Sequence, residues 1–158
     1  MNVNDLNNYF DNLNDELQKG LDEVLPDLIG IEAVNHFKDG FQNEGFTDKS
    51  LEKWTEVKRR KGNGKGADIL RKILTGKTGN LHDSINYDIE PERVVISANP
   101  MNTGAGSNYA AAHNFGTANA GRNHNTVIPR RKFLDHSQML NQKIIARIER
   151  YINAILKI

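Results

Sequence analysis

The chain has 158 residues, with 21 Lys plus Arg, 20 Asp plus Glu and no cysteine. This length fits a single domain over residues 1–158, and the lack of cysteine excludes disulfide frameworks, cysteine nucleophiles and thiolate metal sites. No apolar run approaches the length of a membrane span and no export signal is visible. We therefore expect a chain that does not enter a membrane and that works in a reducing compartment.

The net charge of +1 conceals an uneven distribution along the chain. Residues 1–52 hold 12 acidic and 3 basic residues, whereas residues 53–77 hold 2 acidic and 9 basic residues. Residues 78–158 hold 6 acidic and 9 basic residues. Because opposite blocks of charge attract, this pattern indicates pairing within one chain or between copies of it.

The first part of the chain predicts a helical N-terminal region over residues 1–40. Apolar residues recur at helical spacing from Leu6 to Leu17, and Gly20 offers an end to this first helix. A second apolar pattern begins near Pro26, because proline is tolerated in the first turn of a helix but not in its interior. This second helix is expected to end at Gly40.

The next part is first aromatic and then basic. Phe41, Phe46 and Trp54 predict an irregular connection held by aromatic anchors. Residues 58–66 contain no apolar side chain and predict a flexible, exposed loop. Residues 69–74 return to helical spacing before two glycines force a turn.

The second half predicts a β-hairpin between helices. From about residue 82 to 99 the apolar period changes to two, which is typical of a hairpin with one buried face. Residues 108–115 predict a short helix that ends at Gly116. Residues 117–125 predict a second flexible loop, and residues 126–128 a short edge strand.

The last predicted element is a long C-terminal helix over about residues 136–157. Asp135 and Gln138 have the spacing of a capping box, and a long apolar stripe follows them. The order of helices, hairpin and helix predicts an α+β fold with a small antiparallel sheet.

No group of residues has a convincing catalytic or cofactor-binding spacing. Residues 75–78 end like a phosphate-binding loop, but Arg71 stands where that pattern requires glycine. The five histidines lack the i, i+4 spacing that places two metal ligands on one helical face, and we interpret His36 and His82 as surface or capping residues. The sequence thus predicts no catalytic residue, no cofactor, no metal and no enzymatic activity, with an unrecognised hydrolase left as an open alternative.

Seven basic residues are candidates for contact with another protein or with a DNA channel: Lys58, Arg59, Arg60, Lys61, Lys65, Arg130 and Arg131. Those in the predicted loop could neutralise phosphates, but solvation alone also explains them. No helix-turn-helix or aromatic stacking platform supports sequence-specific DNA binding. The other two belong to a segment that we expect to anchor the start of the last helix.

Several landmarks over roughly residues 30–157 occur in the order found in one known family. They are the aromatic stretch at 37–46, Trp54, Gly79 with Leu81, Tyr109-Ala110-x-x-His113-x-x-Gly116, and Ile128-Pro129-x-Arg131-x-Phe133-Leu134. In this conjunction the chain resembles the phage virion morphogenesis family of tail-completion and head-tail joining proteins.

The resemblance implies a structural protein of a tailed phage or prophage, made in the bacterial host cytoplasm and built into the tail or neck of the virion. Such a component would join a homo-oligomeric ring and contact other tail or connector proteins, with non-specific contact to phage DNA. The ring contact could pair the acidic first third with the basic 53–77 segment, so that Arg59, Arg60 and Lys61 face a neighbour's acidic helices or the DNA. The alternative is a DNA-associated binding module that uses residues 58–65.

The motif residues also have packing explanations of their own. We expect Tyr109, Phe115 and Phe133 to be core anchors, and Gly79 and Gly116 to adopt backbone angles that other residues resist. We interpret His113 as a hydrogen-bonded spacer on the short helix.

Overall fold

The N-terminal region forms one continuous helical rod. In the computed structural model, which describes residues 2–61, 66–100 and 108–157, helix α1 (Val3–Lys19) continues through a π-helical turn (Gly20–Val24) into helix α2 (Leu25–Asn43). The side chain of Asn2 and that of Asp5 cap each other's backbone N–H groups and so start α1. Pro26 lies in the first turn of α2, as predicted.

Gly20 does not end the first helix, so this part of the sequence prediction is wrong. Its backbone is helical, with φ at −58°. A Cβ atom at this position would lie 2.8 Å from Cε1 of Tyr151. Glycine stands here because the ring of Tyr151 packs directly against the helix backbone, and close approach is a second common reason for glycine besides a turn.

The strands of the described residues pair as three antiparallel hairpins: β1 (Gly45–Thr47) with β2 (Leu51–Lys53), β3 (Ile85–Glu90) with β4 (Arg93–Ala98), and β5 (Thr117–Ala120) with β6 (Thr126–Ile128). The second hairpin is the predicted one, and the α+β class is confirmed. The first replaces the predicted irregular connection, because three-residue strands are too short to display an alternating pattern. The predicted loop 117–125 likewise begins with a strand.

Four short helices occupy the described connections: α3 (Lys58–Lys61), α4 (Ala67–Leu70), α5 (Asn80–Asp83) and α6 (Ala110–Phe115). The predicted loop 58–66 therefore starts with a helical turn, and residues 62–65 lie outside the described part. The helical spacing at 69–74 produces a helix only as far as Leu70, because the backbone of Arg71 is extended, with ψ at 135°. The short helix before Gly116 is confirmed.

Helix α7 (Gln138–Leu156) confirms the long C-terminal helix but begins with a different cap from the one predicted. The hydroxyl of Ser137 accepts a hydrogen bond from the Leu140 N–H at 3.1 Å and donates one to the Thr47 carbonyl oxygen at 2.8 Å. The carboxylate of Asp135 instead accepts from the His136 N–H at 2.8 Å. The predicted Asp135 capping box is wrong because the hydroxyl two residues later meets the helix end.

The core is aromatic and joins elements distant in sequence. Phe41 is completely buried, and its ring contacts Trp54 edge-on at 5.3 Å and Phe133 at 5.6 Å between ring centroids. Ile85 on β3 and Leu81 on α5 complete this cluster from the side of the hairpin. Burial of such rings is the main source of stability in a domain of this size.

Candidate functional site

The basic candidate Arg60 is bound inside its own chain. Its two terminal nitrogens contact the Glu44 carboxylate at 3.0 and 2.5 Å, and Glu44 also accepts a hydrogen bond from the Ile73 N–H at 2.8 Å. Glu44 ends α2 with a left-handed backbone. Hydrogen bonding to Arg60, opposed by partial burial, lowers the pKa of Glu44 from 4.5 to about 2.

Arg59 is likewise turned toward its own chain. Its guanidinium donates to the carbonyl oxygens of Asp68, Arg71 and Lys72 at 2.8 to 2.9 Å. Both arginines are half-buried. The expectation of an exposed loop explained by solvation alone is therefore wrong for these two side chains, because each replaces water with backbone carbonyls or a carboxylate.

The remaining basic candidates fall into three environments. Lys58 and Lys61 are exposed on α3, and Lys65 lies outside the described residues. Arg130 is exposed and approaches Asp135 at 3.8 Å. Arg131, in contrast, is only 7% exposed. The candidates do not form one basic surface in the described part of the chain, and only Lys58, Lys61 and Arg130 are open to a large partner.

Most of the predicted motif residues are buried or half-buried, or have a special backbone angle. Trp54 is buried and its indole N–H donates to the Lys132 carbonyl oxygen at 2.6 Å, while Leu81 and Phe133 are each 2% exposed. Gly79 has φ at 73° at the start of α5. Pro129 and Tyr109 are half-buried.

Gly116 combines two constraints. Its φ is 75°, and a Cβ atom there would lie 2.8 Å from the backbone nitrogen of Arg130. The left-handed backbone and the close approach both favour glycine, as expected from the sequence.

Three expectations for aromatic and histidine residues are wrong. Phe115 is 68% exposed and is not a core anchor, because its position at the end of α6 faces away from the cluster. His36 is buried, not a surface residue, and its Nε2 lies 3.1 Å from the Thr47 carbonyl oxygen. The Nδ1 of His113 is buried without a hydrogen-bond partner among the described residues, so His113 is not the expected hydrogen-bonded spacer.

Burial has the same electrostatic effect on both histidines. It lowers the pKa of His36 and that of His113, since a charged imidazole is poorly solvated there. The charge of Arg131 lowers the pKa of His113 further.

The sequence analysis missed Asn114, the most heavily bonded side chain of the Tyr109-to-Gly116 motif. Its amide oxygen accepts from the N–H groups of Phe133 and Leu134 at 2.8 and 3.0 Å, and its amide nitrogen donates to the Leu134 carbonyl oxygen at 2.9 Å. Asn114 is 6% exposed. A polar amide inside a short, apolar, alanine-rich helix is the signal that could have revealed it.

The apolar stripe at the start of α1 is uncovered among the described residues. None of the residues of α1 is buried, and Leu6, Tyr9 and Phe10 are 42%, 50% and 56% exposed. Leu13 and Leu17, further along the same stripe, are half-buried. We call Val3, Leu6, Tyr9 and Phe10 the α1 apolar face.

An apolar groove of about 740 Å³ lies between the π-helical turn, the start of α2 and the tip of the β3–β4 hairpin. Leu21, Leu25, Ile29 and Ile89 contribute to its walls. Ile89 is 49% exposed, so the predicted buried face of the hairpin does not extend to its tip.

These features define a small α+β protein whose motif residues mainly order its core and whose uncovered surface is an amphipathic helix. The phage virion morphogenesis family matches residues 5–153, and the chain belongs to this family. Membership indicates a structural or assembly role in a phage virion and a virion-associated protein. Neither the curated proteins nor the solved structures gave a significant match.

Two further classes of site are absent from the described ranges 2–61, 66–100 and 108–157. These residues hold no cluster of three or more His, Asp or Glu side chains that could bind a metal ion. No helix within them has both the length and the apolar character to cross a membrane.

Proposed function

We propose that the protein completes the tail or joins head and tail in a tailed phage or prophage, through contacts between identical copies that close into a ring. The single observation that carries this proposal is the α1 apolar face. An amphipathic helix normally buries its apolar stripe, and a contiguous exposed stripe is typical of a protein interaction site. Family membership supplies the virion context.

Charge supports a head-to-tail arrangement of copies. Helix α1 carries Asp5, Asp11, Asp15 and Glu16, whereas the exposed lysines Lys58 and Lys61 lie on a different element of the same chain. Two unlike surfaces on one chain produce a heterologous contact, which closes into a ring when the rotation between copies permits it. Arg59 and Arg60 are bound within their own chain, so we assign the basic side of this contact to the two lysines.

We place the assembly step in the bacterial host cytoplasm and the finished protein at the tail or neck of the particle. Other tail or connector proteins would then cover the remaining surfaces. The α1 apolar face is the region we expect to meet another copy, and the groove beside it extends the apolar area that such a contact can bury.

The proposal is tested by a Leu6→Ser/Phe10→Ser double variant in a phage complementation assay, with native mass spectrometry of the purified protein at low and high ionic strength. We expect normal folding but loss of intact tails and of any ring. Val127→Ser, which changes an apolar residue that is 70% exposed on β6, is the matched control. Normal particles from the double variant would contradict the proposal.

A DNA-associated module is the second candidate, and the exposure of Lys58 and Lys61 favours it. A Lys58→Glu/Lys61→Glu variant separates the two functions. Loss of DNA retention in a gel with normal particle assembly would favour the DNA-associated module. Tail-less or DNA-leaking particles would favour the joining protein.

A further inference from the structure

Arg131 is a buried cation that lacks an acidic partner. Its residue is 7% exposed, its Nε donates to the Thr55 carbonyl oxygen at 3.0 Å, and it forms no ion pair with a carboxylate of the described residues. The undescribed residues 1, 62–65, 101–107 and 158 contain no Asp or Glu. The charge of Glu56 raises the pKa of Arg131, but the Glu56 carboxylate is itself paired with Arg60 at 3.6 Å.

Such an arrangement is costly unless something else compensates the charge. Buried arginine is normally paired with a carboxylate or a phosphate, because removing an unpaired guanidinium from water is strongly unfavourable. Burial and the nearby charge of Arg59 both lower the pKa of Arg131, and the charge of Glu56 opposes them only in part.

Arg131 also lines a cavity of about 330 Å³ together with Arg59, His113, Tyr109, Thr78 and Asn80. The buried Nδ1 of His113, which has no partner among the described residues, belongs to the same group of side chains. The backbone fixes this arrangement, because the Arg131 N–H donates to the His113 carbonyl oxygen at 2.8 Å. Arg131, an imidazole and neutral polar side chains form a lining suited to an oxyanion, and the guanidinium of Arg59, although bonded to its own backbone, adds positive charge.

We propose that this cavity is a carboxylate-binding site that receives an acidic side chain from a neighbouring protein chain in the virion. An arginine fork matches the two oxygens of a carboxylate, and a single acidic side chain fits a recess of this size. The chemistry of the site stands on the cavity alone. Only the source of the carboxylate, a neighbouring virion protein, rests on the proposed function.

A nucleic acid is a poorer occupant of this cavity. Phosphates of a duplex lie on the surface of a wide rod and are contacted by side chains that reach outward. Arg131 is too deeply buried to do so, whereas an Asp or Glu side chain can extend into the cavity. The acidic first third, with 12 acidic residues in 52, is one source of such side chains in a neighbouring copy.

The chemistry is tested by NMR on the full chain, with sodium acetate as the probe and sodium chloride at equal ionic strength as the reference. The imidazole signals of His113 are followed, and those of the exposed His124 serve as an internal control. We expect acetate to shift the His113 signals with a saturating curve and to leave His124 unchanged. Inorganic phosphate is titrated separately.

Two variants assign the effect to the cavity. Arg131→Gln should weaken acetate binding at least about tenfold, because the charged fork is lost. Arg130→Gln, which removes the neighbouring exposed arginine, should leave it unchanged. If Arg131→Gln does not fold, Thr78→Met tests the same point, because its longer side chain fills the cavity and should abolish binding.

Three results would overturn the inference: identical His113 shifts with chloride and acetate, shifts that rise linearly without saturation, or binding of phosphate without binding of acetate. The outcome is independent of ring assembly. A protein that binds acetate but never assembles would refute the proposed function alone, and one that assembles but does not bind acetate would refute this site alone.

Discussion

The ring of Tyr87 on β3 lies directly against the backbone of Gly30 in α2, where a Cβ atom would overlap the ring. The Tyr87 hydroxyl then donates to the Asp27 carboxylate one turn earlier at 2.9 Å. The hairpin and the long helix are thereby held together at a distance that only glycine permits.

Gly30→Val should destabilise the fold by about 2–3 kcal/mol in chemical denaturation, because the added side chain forces the hairpin away from α2. Replacing Tyr87 by alanine in the same chain should remove most of this effect, since the two positions are directly coupled. Asn35→Val, at an exposed position of α2, is the control and should cost less than about 1 kcal/mol. Equal losses from the two valine substitutions would contradict this packing.

The Glu44–Arg60 pair predicts an acid-sensitive fold. The pKa of Glu44 is lowered from 4.5 to about 2 chiefly by its hydrogen bonds to Arg60, so its contribution to stability is present above about pH 5 and is lost as the pH falls toward 2. Glu44→Gln should lower the free energy of unfolding at neutral pH by about 1–2 kcal/mol and flatten its dependence on pH between about 2 and 5.

The control for this change is Glu149→Gln on the exposed side of α7. It should leave both the stability at neutral pH and its acid dependence close to those of the unchanged chain. An unaltered pH profile in Glu44→Gln would show that Arg60 does not hold this carboxylate in solution.

Asn114→Ala should be among the most damaging single changes in the motif region. It leaves the N–H groups of Phe133 and Leu134 without an acceptor in a buried place, at an expected cost of about 2–4 kcal/mol. Asn141→Ala, on the exposed face of α7, is the control. Thermal or chemical unfolding measures the difference, and similar midpoints for the two variants would refute this role for Asn114.

Alanine substitutions at Ser137 and Asp135 test which of the two residues caps the start of α7. Ser137→Ala removes both the cap on the Leu140 N–H and the hydrogen bond to Thr47, so it should cost about 1–2 kcal/mol. Asp135→Ala should cost less than about 0.5 kcal/mol, since Asp135 makes only local and exposed contacts. A larger loss in the Asp135 variant would support the capping box suggested by sequence spacing.

Periodicity in the sequence was sufficient to predict the long helices, the β3–β4 hairpin and the α+β class, because each of these elements repeats its pattern several times. The hairpin at Gly45–Lys53 and the strand at Thr117–Ala120 were missed because three or four residues give no period. Their strands are specified by tertiary contacts, as in the burial of Phe46 against the aromatic core.

The candidate site was harder to predict, because sequence shows charge but not its partner. Arg59 and Arg60 belong to a basic run whose pattern predicts solvation, yet their partners are carbonyls and a carboxylate 9 to 16 residues away in the chain. The sequence predicts a helix end at Gly20. Glycine is required there by the ring of Tyr151, which belongs to the other end of the chain. Such pairings become visible only when distant segments are brought together.

The chain is helical without interruption from Val3 to Asn43, so a bend at the π-helical turn would displace α1 as a whole. Its 17 residues span about 26 Å at 1.5 Å per residue, so a bend of about 10° at the π-helical turn would carry the far tip through about 4–5 Å. The same bend would move Leu6 by about 3–4 Å and Phe10 by about 2–3 Å, because they lie closer to the Gly20–Tyr151 contact than the tip does. A small bend at this turn could in this way adjust the α1 apolar face to the partner that we propose for it.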